Sequence, residues 1–300
     1  MGKTAFIFPG QGTQTPGMGM DFYQNFNSSK KIFDMAGDTV KNLCFEGPQE
    51  ALNITVNTQP CLFAVELACA GALNEYGIYA EGVAGFSLGE VTGAVHCGLL
   101  DEARGFDFIS LRAKAMNECS VRNKGGMAAV IGLSADKIID ICSDIDGVYP
   151  ANFNYGKQTV VSFSEQAREA LEKSVDAHGG AIVKLAVSGA FHSPLMNEAA
   201  KSAAEYLKYI PFGKMTIPVY SNSTAQIYDN PADLLSKQIK SPVLWQMTIE
   251  NMIQDGFDAF IEAGPGKTLT GMIRKISKDV RTFNVFDMET LESTVKQCKQ

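Results

Sequence analysis

Short, almost uninterrupted apolar runs alternate along the chain with longer segments whose apolar residues recur at helical spacing. The first run, Thr4-Ala5-Phe6-Ile7-Phe8, ends at Pro9-Gly10 and reads as a strand buried on both faces. Residues 59–76, QPCLFAVELACAGALNEY, are apolar on most faces and long enough for a buried helix. Gly82-Val83-Ala84 predicts a second strand, followed by a turn and another helix. Strand and helix in alternation predict an α/β core on a largely parallel sheet.

The pattern changes between residues 125 and 188. GMAAVIGL predicts a strand, and SADKIIDICSDI a helix with Ser134 as its N-cap. Two strands follow around a turn at Tyr155-Gly156, then a helix closed by Gly179, then a strand over 181–187. The order β-α-β-β-α-β is the ferredoxin-like pattern. We therefore expect residues 125–188 to form a subdomain inserted into a larger domain made of 1–124 and 189–300. The larger domain is expected to resume with a helix near 194–209 and strands near 216–221 and 258–262.

Composition narrows the function classes. The 300 residues carry a formal charge of −7 and no Lys/Arg cluster, so no nucleic-acid partner is expected. The seven cysteines are scattered singly, which reads as reduced thiols. The three histidines have no ligand spacing with them, so neither a metal site nor a cofactor is expected. The apolar run at the N-terminus is too short for a signal peptide, and no membrane-spanning segment is expected. These readings together predict a soluble, cytoplasmic protein.

Gly85-Phe86-Ser87-Leu88-Gly89 matches G-x-S-x-G between a predicted strand and helix, the setting of a nucleophile elbow; a capping serine at an ordinary turn matches equally. Glu90, in the first turn of that helix, suits the helix dipole. Of the histidines, His192 is the best candidate base, on a loop before Ser193-Pro194. His178 reads as a helix C-terminal dipole partner, and His96 as a core residue. Arg112 has Phe108, Ile109, Ala115 and Met116 as its helical neighbours, so its guanidinium faces inward and needs a carboxylate partner. That partner is either an internal Asp or Glu, or a substrate carboxylate held in a bidentate fork. The backbone N–H groups of Gln11, in PGQGTQ, and of Leu88 can form an oxyanion hole. PGQGTQ and EAGPGKT each lack a glycine required of nucleotide-binding loops.

With these pieces in place, the chain resembles the malonyl-CoA:acyl carrier protein transacylases. FPGQGTQ, TQP, GFSLGE, SLRAKAM, NFNYGKQ, GAFHSPLM, SPVLW and EAGPGK follow that family's order across nearly the whole chain. The resemblance implies an α/β-hydrolase-like core with an inserted ferredoxin-like subdomain. It implies Ser87 as the acylated nucleophile, His192 as its base, Gln11 and Leu88 as oxyanion donors, and Arg112 as the malonyl anchor. Gln238 matches the position whose backbone carbonyl orients the histidine, and Gln59 and Asn154 match positions along the acyl or pantetheine region. Malonyl-CoA and holo acyl carrier protein are the implied partners, and Phe191 beside His192 favours malonyl over methylmalonyl. The chain departs from the family in carrying Phe86 where His is usual and Leu244 where Arg or Gln is usual. A polyketide-pathway acyltransferase or acyl hydrolase would share the same Ser-His site.

Overall fold

Five apolar runs are β-strands of one parallel sheet in the computed structural model, which describes residues 2–299. The strands, in chain order, are β1 (Lys3–Phe8), β2 (Gly82–Gly85), β3 (Gly125–Ile131), β4 (Val148–Tyr155), β5 (Gln158–Ser164), β6 (Ala181–Lys184), β7 (Val219–Tyr220), β8 (Phe257–Ala263) and β9 (Arg281–Val285). The parallel sheet has the order β7-β2-β1-β8-β9. Its central strands are buried nearly end to end, which is why their sequences show no alternation of apolar and polar residues. Register pairs Phe8 with Gly85 and Ile7 with Glu262, so these strands end together at one edge.

The second sheet is antiparallel, with the order β4-β5-β3-β6, and the helices Ala135–Asp144 and Arg168–Ala177 connect its strands. Ser134 caps the first of these, its hydroxyl accepting from the Lys137 N–H at 3.3 Å. A separate apolar cluster fills the space beneath this sheet, including Val130, Ile138, Val161, Phe163 and Leu171. The sheet is tied to the rest of the chain through β4. The Phe153 N–H donates to the Val243 carbonyl (2.9 Å), and the Val243 N–H to Ala151 (2.8 Å).

Several elements differ from expectation. The strand over 181–187 stops at Lys184, and the strand near 216–221 is only Val219–Tyr220. The helix near 194–209 starts as a single 3₁₀ turn, Pro194–Met196, before the α-helix Asn197–Leu207. The buried helix begins at Thr55 and runs to Glu75, with Pro60 inside it. Contrary to expectation, this helix is long and apolar enough to cross a membrane. Inside the protein, 83% of its apolar window is buried, so that surface serves the core.

The turn after β2 depends on close backbone approach. A Cβ on Gly85 would lie 1.9 Å from the Gly89 carbonyl carbon, and one on Gly89 only 2.2 Å from the Phe8 oxygen. Helix Gly89–His96 can therefore start directly over the ends of β1 and β2. Gly85→Ala is expected to lower unfolding free energy by about 3 kcal/mol or more, because the clash is with backbone that cannot swing aside. Gly271→Ala, on an open face of helix Thr268–Ile276 with no atom within 4 Å, is expected to raise it by about 0.5–1 kcal/mol. Denaturant midpoints of the two variants check both signs.

Candidate active site

Four chain segments meet at the C-terminal edge of the parallel sheet, where open α/β folds gather their functional groups. They are the turn after β1, the turn after β2, the Ser221-Asn222 segment after β7, and the loop carrying His192. The Phe86 N–H donates to the Phe8 carbonyl at 2.8 Å, drawing the first two turns together.

Ser87 occupies the tip of the second turn with φ +57°, and His192 has φ +56°. Left-handed backbone costs a non-glycine residue roughly 1–2 kcal/mol, so surrounding bonds must hold both residues in place. The His192 Nε2 lies 2.8 Å from Ser87 Oγ, and its Nδ1 lies 2.8 Å from the Gln238 carbonyl oxygen. A carbonyl only accepts, so Nδ1 carries the proton and the Nε2 lone pair faces the serine hydroxyl. Burial, and then the nearby Arg112 charge, hold the imidazole down at about 4, against hydrogen bonds to the Gln238 and Ser241 backbone. At neutral pH the ring is thus a free base beside a hydroxyl.

Arg112 is completely buried midway along the helix Glu102–Arg122. Its Nη2 donates to Ser87 Oγ (3.0 Å) and to Gln238 Oε1 (2.9 Å), and its Nη1 donates to Gln59 Oε1 (2.6 Å). Its Nε–H has no acceptor among the described residues. Of the two partners open to it, an internal carboxylate is not found: among the described residues no Asp or Glu is ion-paired with this guanidinium. Two glutamine amide oxygens hold it and leave its charge unneutralised. Burial lowers its pKa to about 10, opposed first by the field of Glu90. At neutral pH it remains a cation.

Gln59 spans Arg112 and Gln11, accepting from the guanidinium through Oε1 and donating from Nε2 to Gln11 Oε1 at 3.1 Å. The backbone N–H groups of Gln11 and Leu88 have no acceptor among the described residues. Gln238 does more than its backbone position implies. Besides accepting from Arg112, its side chain donates from Nε2 to the Ser87 carbonyl at 2.9 Å.

A cleft of about 270 Å³ separates the two sheets, with Gln11 and Phe86 on one wall and Asn152, Asn154 and Gln158 on the other. Asn152 and Asn154 are buried, and the Oδ1 of each has no hydrogen-bond partner among the described residues. Phe86 packs edge-on against Trp245, with ring centroids 5.5 Å apart, and the buried Trp245 Nε1–H also lacks an acceptor among the described residues. Phe191 is packed into the core directly before His192.

The other two histidines lie away from this site. His96 lies between the rings of Phe6 and Phe8, and the His178 Nδ1 meets the Ser174 carbonyl at the end of its helix. All seven cysteines are free.

The sequence reading missed Asn222. This fully buried side chain accepts the Ser87 N–H at 2.7 Å and donates to the Gly85 carbonyl at 2.5 Å. The available signal was its place just after a predicted parallel strand. Glu90 lies in the first turn of helix Gly89–His96 as expected, and its buried Oε1 accepts from Asn222 N–H (3.0 Å) and Tyr228 O–H (2.6 Å).

Residues 5–295 match the acyl transferase domain family. A malonyl CoA-acyl carrier protein transacylase of Bacillus subtilis is 35% identical over 312 residues, covering 100% of this chain and 98% of the relative. The protein of that name from Synechocystis is 34% identical, covering 97% and 99% of the two chains. The solved malonyl CoA-acyl carrier protein transacylase from Clostridium perfringens superposes with a TM-score of 0.95 at 36% identity, over 99% of this chain and 97% of its own. A type II PKS malonyl-transacylase, solved with its holo acyl-carrier protein, superposes at TM-score 0.94 and 32% identity, over 98% and 99%.

His192 titration is expected to appear in stability. Its folded pKa of about 4 lies below the ordinary 6.5, so its contribution is complete above pH 6.5 and is lost as pH falls toward 4. Burial pushes Glu90 up to about 8, so its contribution is complete below pH 4.5 and is lost as pH rises through 8. Comparison with His192→Gln isolates the histidine. The unfolding free-energy difference between the two proteins is expected to shrink by on the order of 3 kcal/mol between pH 6.5 and 4. A difference that stays flat would mean the ring is solvated.

Proposed function

The chain belongs to the acyl transferase domain family, and from that membership we propose that it transfers malonyl from malonyl-CoA to the pantetheine thiol of holo acyl carrier protein. The observation that carries this reading is the buried, unneutralised Arg112 whose Nη2 is 3.0 Å from Ser87 Oγ. A plain acyl ester gives such a cation nothing to pair with, whereas the distal carboxylate of a malonyl thioester does.

In the first half-reaction His192 Nε2 takes the Ser87 proton while Oγ bonds to the thioester carbonyl carbon. The negative charge on the carbonyl oxygen is received by the Gln11 and Leu88 N–H groups, each contributing roughly 3–4 kcal/mol to lowering the barrier. Collapse breaks the C–S bond, and the imidazolium returns its proton to the departing coenzyme A thiolate. In the second half-reaction the carrier's thiol gives its proton to His192 and its sulfur attacks the malonyl-serine ester, restoring Ser87. The Gln238 carbonyl keeps Nδ1 protonated throughout, which explains why no third acidic residue is required.

The cleft between the sheets suits the pantetheine arm. Its secondary amides offer N–H donors of the kind the unpaired Oδ1 atoms of Asn152 and Asn154 lack. Phe191 next to His192 leaves little room for an α-methyl branch, favouring malonyl over methylmalonyl. We read the parallel-sheet part, 1–124 and 189–300, as an α/β-hydrolase-like core, and 125–188 as a ferredoxin-like insert that closes the cleft. We assign the reaction to fatty acid biosynthesis; a polyketide malonyl-transacylase of similar structure is solved with its own acyl-carrier protein.

Incubation with malonyl-CoA is expected to add one malonyl group at Ser87, seen by intact-mass and peptide mapping, and Ser87→Ala is expected to add none. A malonyl adduct on that variant refutes the nucleophile. Arg112→Ala is expected to shift relative kcat/KM from malonyl-CoA toward acetyl-CoA by about 100-fold or more, the scale for leaving a charged group unpaired. An unchanged ratio removes the anchor role.

A further inference from the structure

We propose that Asn222 and Glu90 are a positioning pair that sets the backbone of Ser87, an inference that rests on reading Ser87 as the nucleophile. The argument starts from a conformation that residue 87 would not choose. A serine at φ +57° relaxes unless its own peptide groups are held from outside. They are. The Asn222 amide bridges the elbow, accepting the Ser87 N–H through Oδ1 (2.7 Å) and donating through Nδ2 to the Gly85 carbonyl (2.5 Å). A primary amide carries the acceptor and the donor that this bridge needs on adjacent atoms.

Asn222 is in turn held at both its backbone N–H and its carbonyl. Its N–H donates to Glu90 Oε1 at 3.0 Å, and its carbonyl accepts the Leu244 N–H at 2.8 Å. Glu90 Oε1 also accepts the Tyr228 hydroxyl at 2.6 Å. Asn222 and Glu90 are both fully buried, and Tyr228 nearly so. Glu90 lies one helical turn past the serine it supports, so the loop is closed: Ser87 to Asn222 to Glu90 and back along the chain. Neither residue touches the position of the acyl group, and both act through Ser87.

The consequence is directional. Ser87 Oγ must lie between His192 Nε2 and Arg112 Nη2, at 2.8 and 3.0 Å. A rotation of the 86–87 peptide, once Asn222 releases it, swings Oγ off both and turns the Leu88 N–H away from its aim. Loss of the pair therefore slows bond formation at Oγ without weakening the grip on coenzyme A.

The test uses two readouts on the full chain. The first is the burst of acyl-enzyme formed from malonyl-CoA, with rate constant and amplitude measured separately by quenched flow. The second is the labelling rate of Ser87 by a fluorophosphonate, which needs no malonyl recognition. Asn222→Ala is expected to slow both rate constants by about 100-fold, with KM for malonyl-CoA changed less than threefold. Glu90→Gln, which keeps an oxygen acceptor for both donors, is expected to stay within about fivefold of the unmodified enzyme, while Glu90→Ala falls at least tenfold below it. Tyr228→Phe, the mildest change, is expected to fall between these. A structural role alone would lower the burst amplitude and leave the rate constant intact, and that result overturns the proposal. So does an unmodified labelling rate in Asn222→Ala, or equal rates for the two Glu90 variants. If Ser87 of the unmodified enzyme reacts with the fluorophosphonate and the variants match it, the positioning pair alone falls. If that serine does not react, the nucleophile and the pair fall together.

Discussion

A positive charge withheld from water and left without a counter-ion organises this molecule. Burying an unpaired guanidinium is among the least favourable things a fold can do, and proteins ordinarily answer it with a carboxylate. Here Gln59 and Gln238 answer it with amide oxygens, which orient the fork without cancelling its charge. Burial first, and then this same charge, depresses the basicity of His192 and keeps the imidazole neutral. It also fixes one side of Ser87 Oγ. Arg112 thus bears on the basicity of His192 and on the position of Ser87 Oγ at once.

The surrounding architecture makes that charge usable. Parallel strands ending together bring the β1 turn, the serine turn and the Asn222 segment to one edge, and two glycines let backbone approach where any side chain would collide. The strained serine is braced on both sides of its Cα, by Asn222 at the N–H and by Gln238 at the carbonyl. Gln238 is the most heavily committed residue of the site. Its side chain touches Arg112 and Ser87, and its backbone oxygen orients His192. Rigidity of this kind is what lets a hydroxyl react without first reorganising its surroundings.

Local pattern made much of this legible. The strand–turn–helix around Ser87, the inward face of Arg112 and the loop position of His192 all follow from spacing and neighbour chemistry within a few residues. What escaped depends on distance along the chain. Asn222 meets Ser87 across 135 residues and Glu90 across 132, and nothing near Tyr220-Ser221-Asn222 announces a partner so remote. Arg112 was legible as buried but not as held by amides, because Gln59 and Gln238 reach it from 53 and 126 residues away along the chain. The first turn of the helix from Thr55 was hidden for a related reason: Pro60 reads as a boundary, and the polar residues before it read as a loop. Val219–Tyr220 is so short that only its neighbour β2 makes it a strand.

The most direct measurement is a crystal structure of the malonyl-enzyme trapped before transfer. On this account the terminal carboxylate takes over Arg112, its oxygens within hydrogen-bonding reach of the guanidinium and the Nη2 contact to Ser87 Oγ released to it. A malonyl group whose carboxylate points into solvent, with Arg112 still bound only to Gln59 and Gln238, would contradict it.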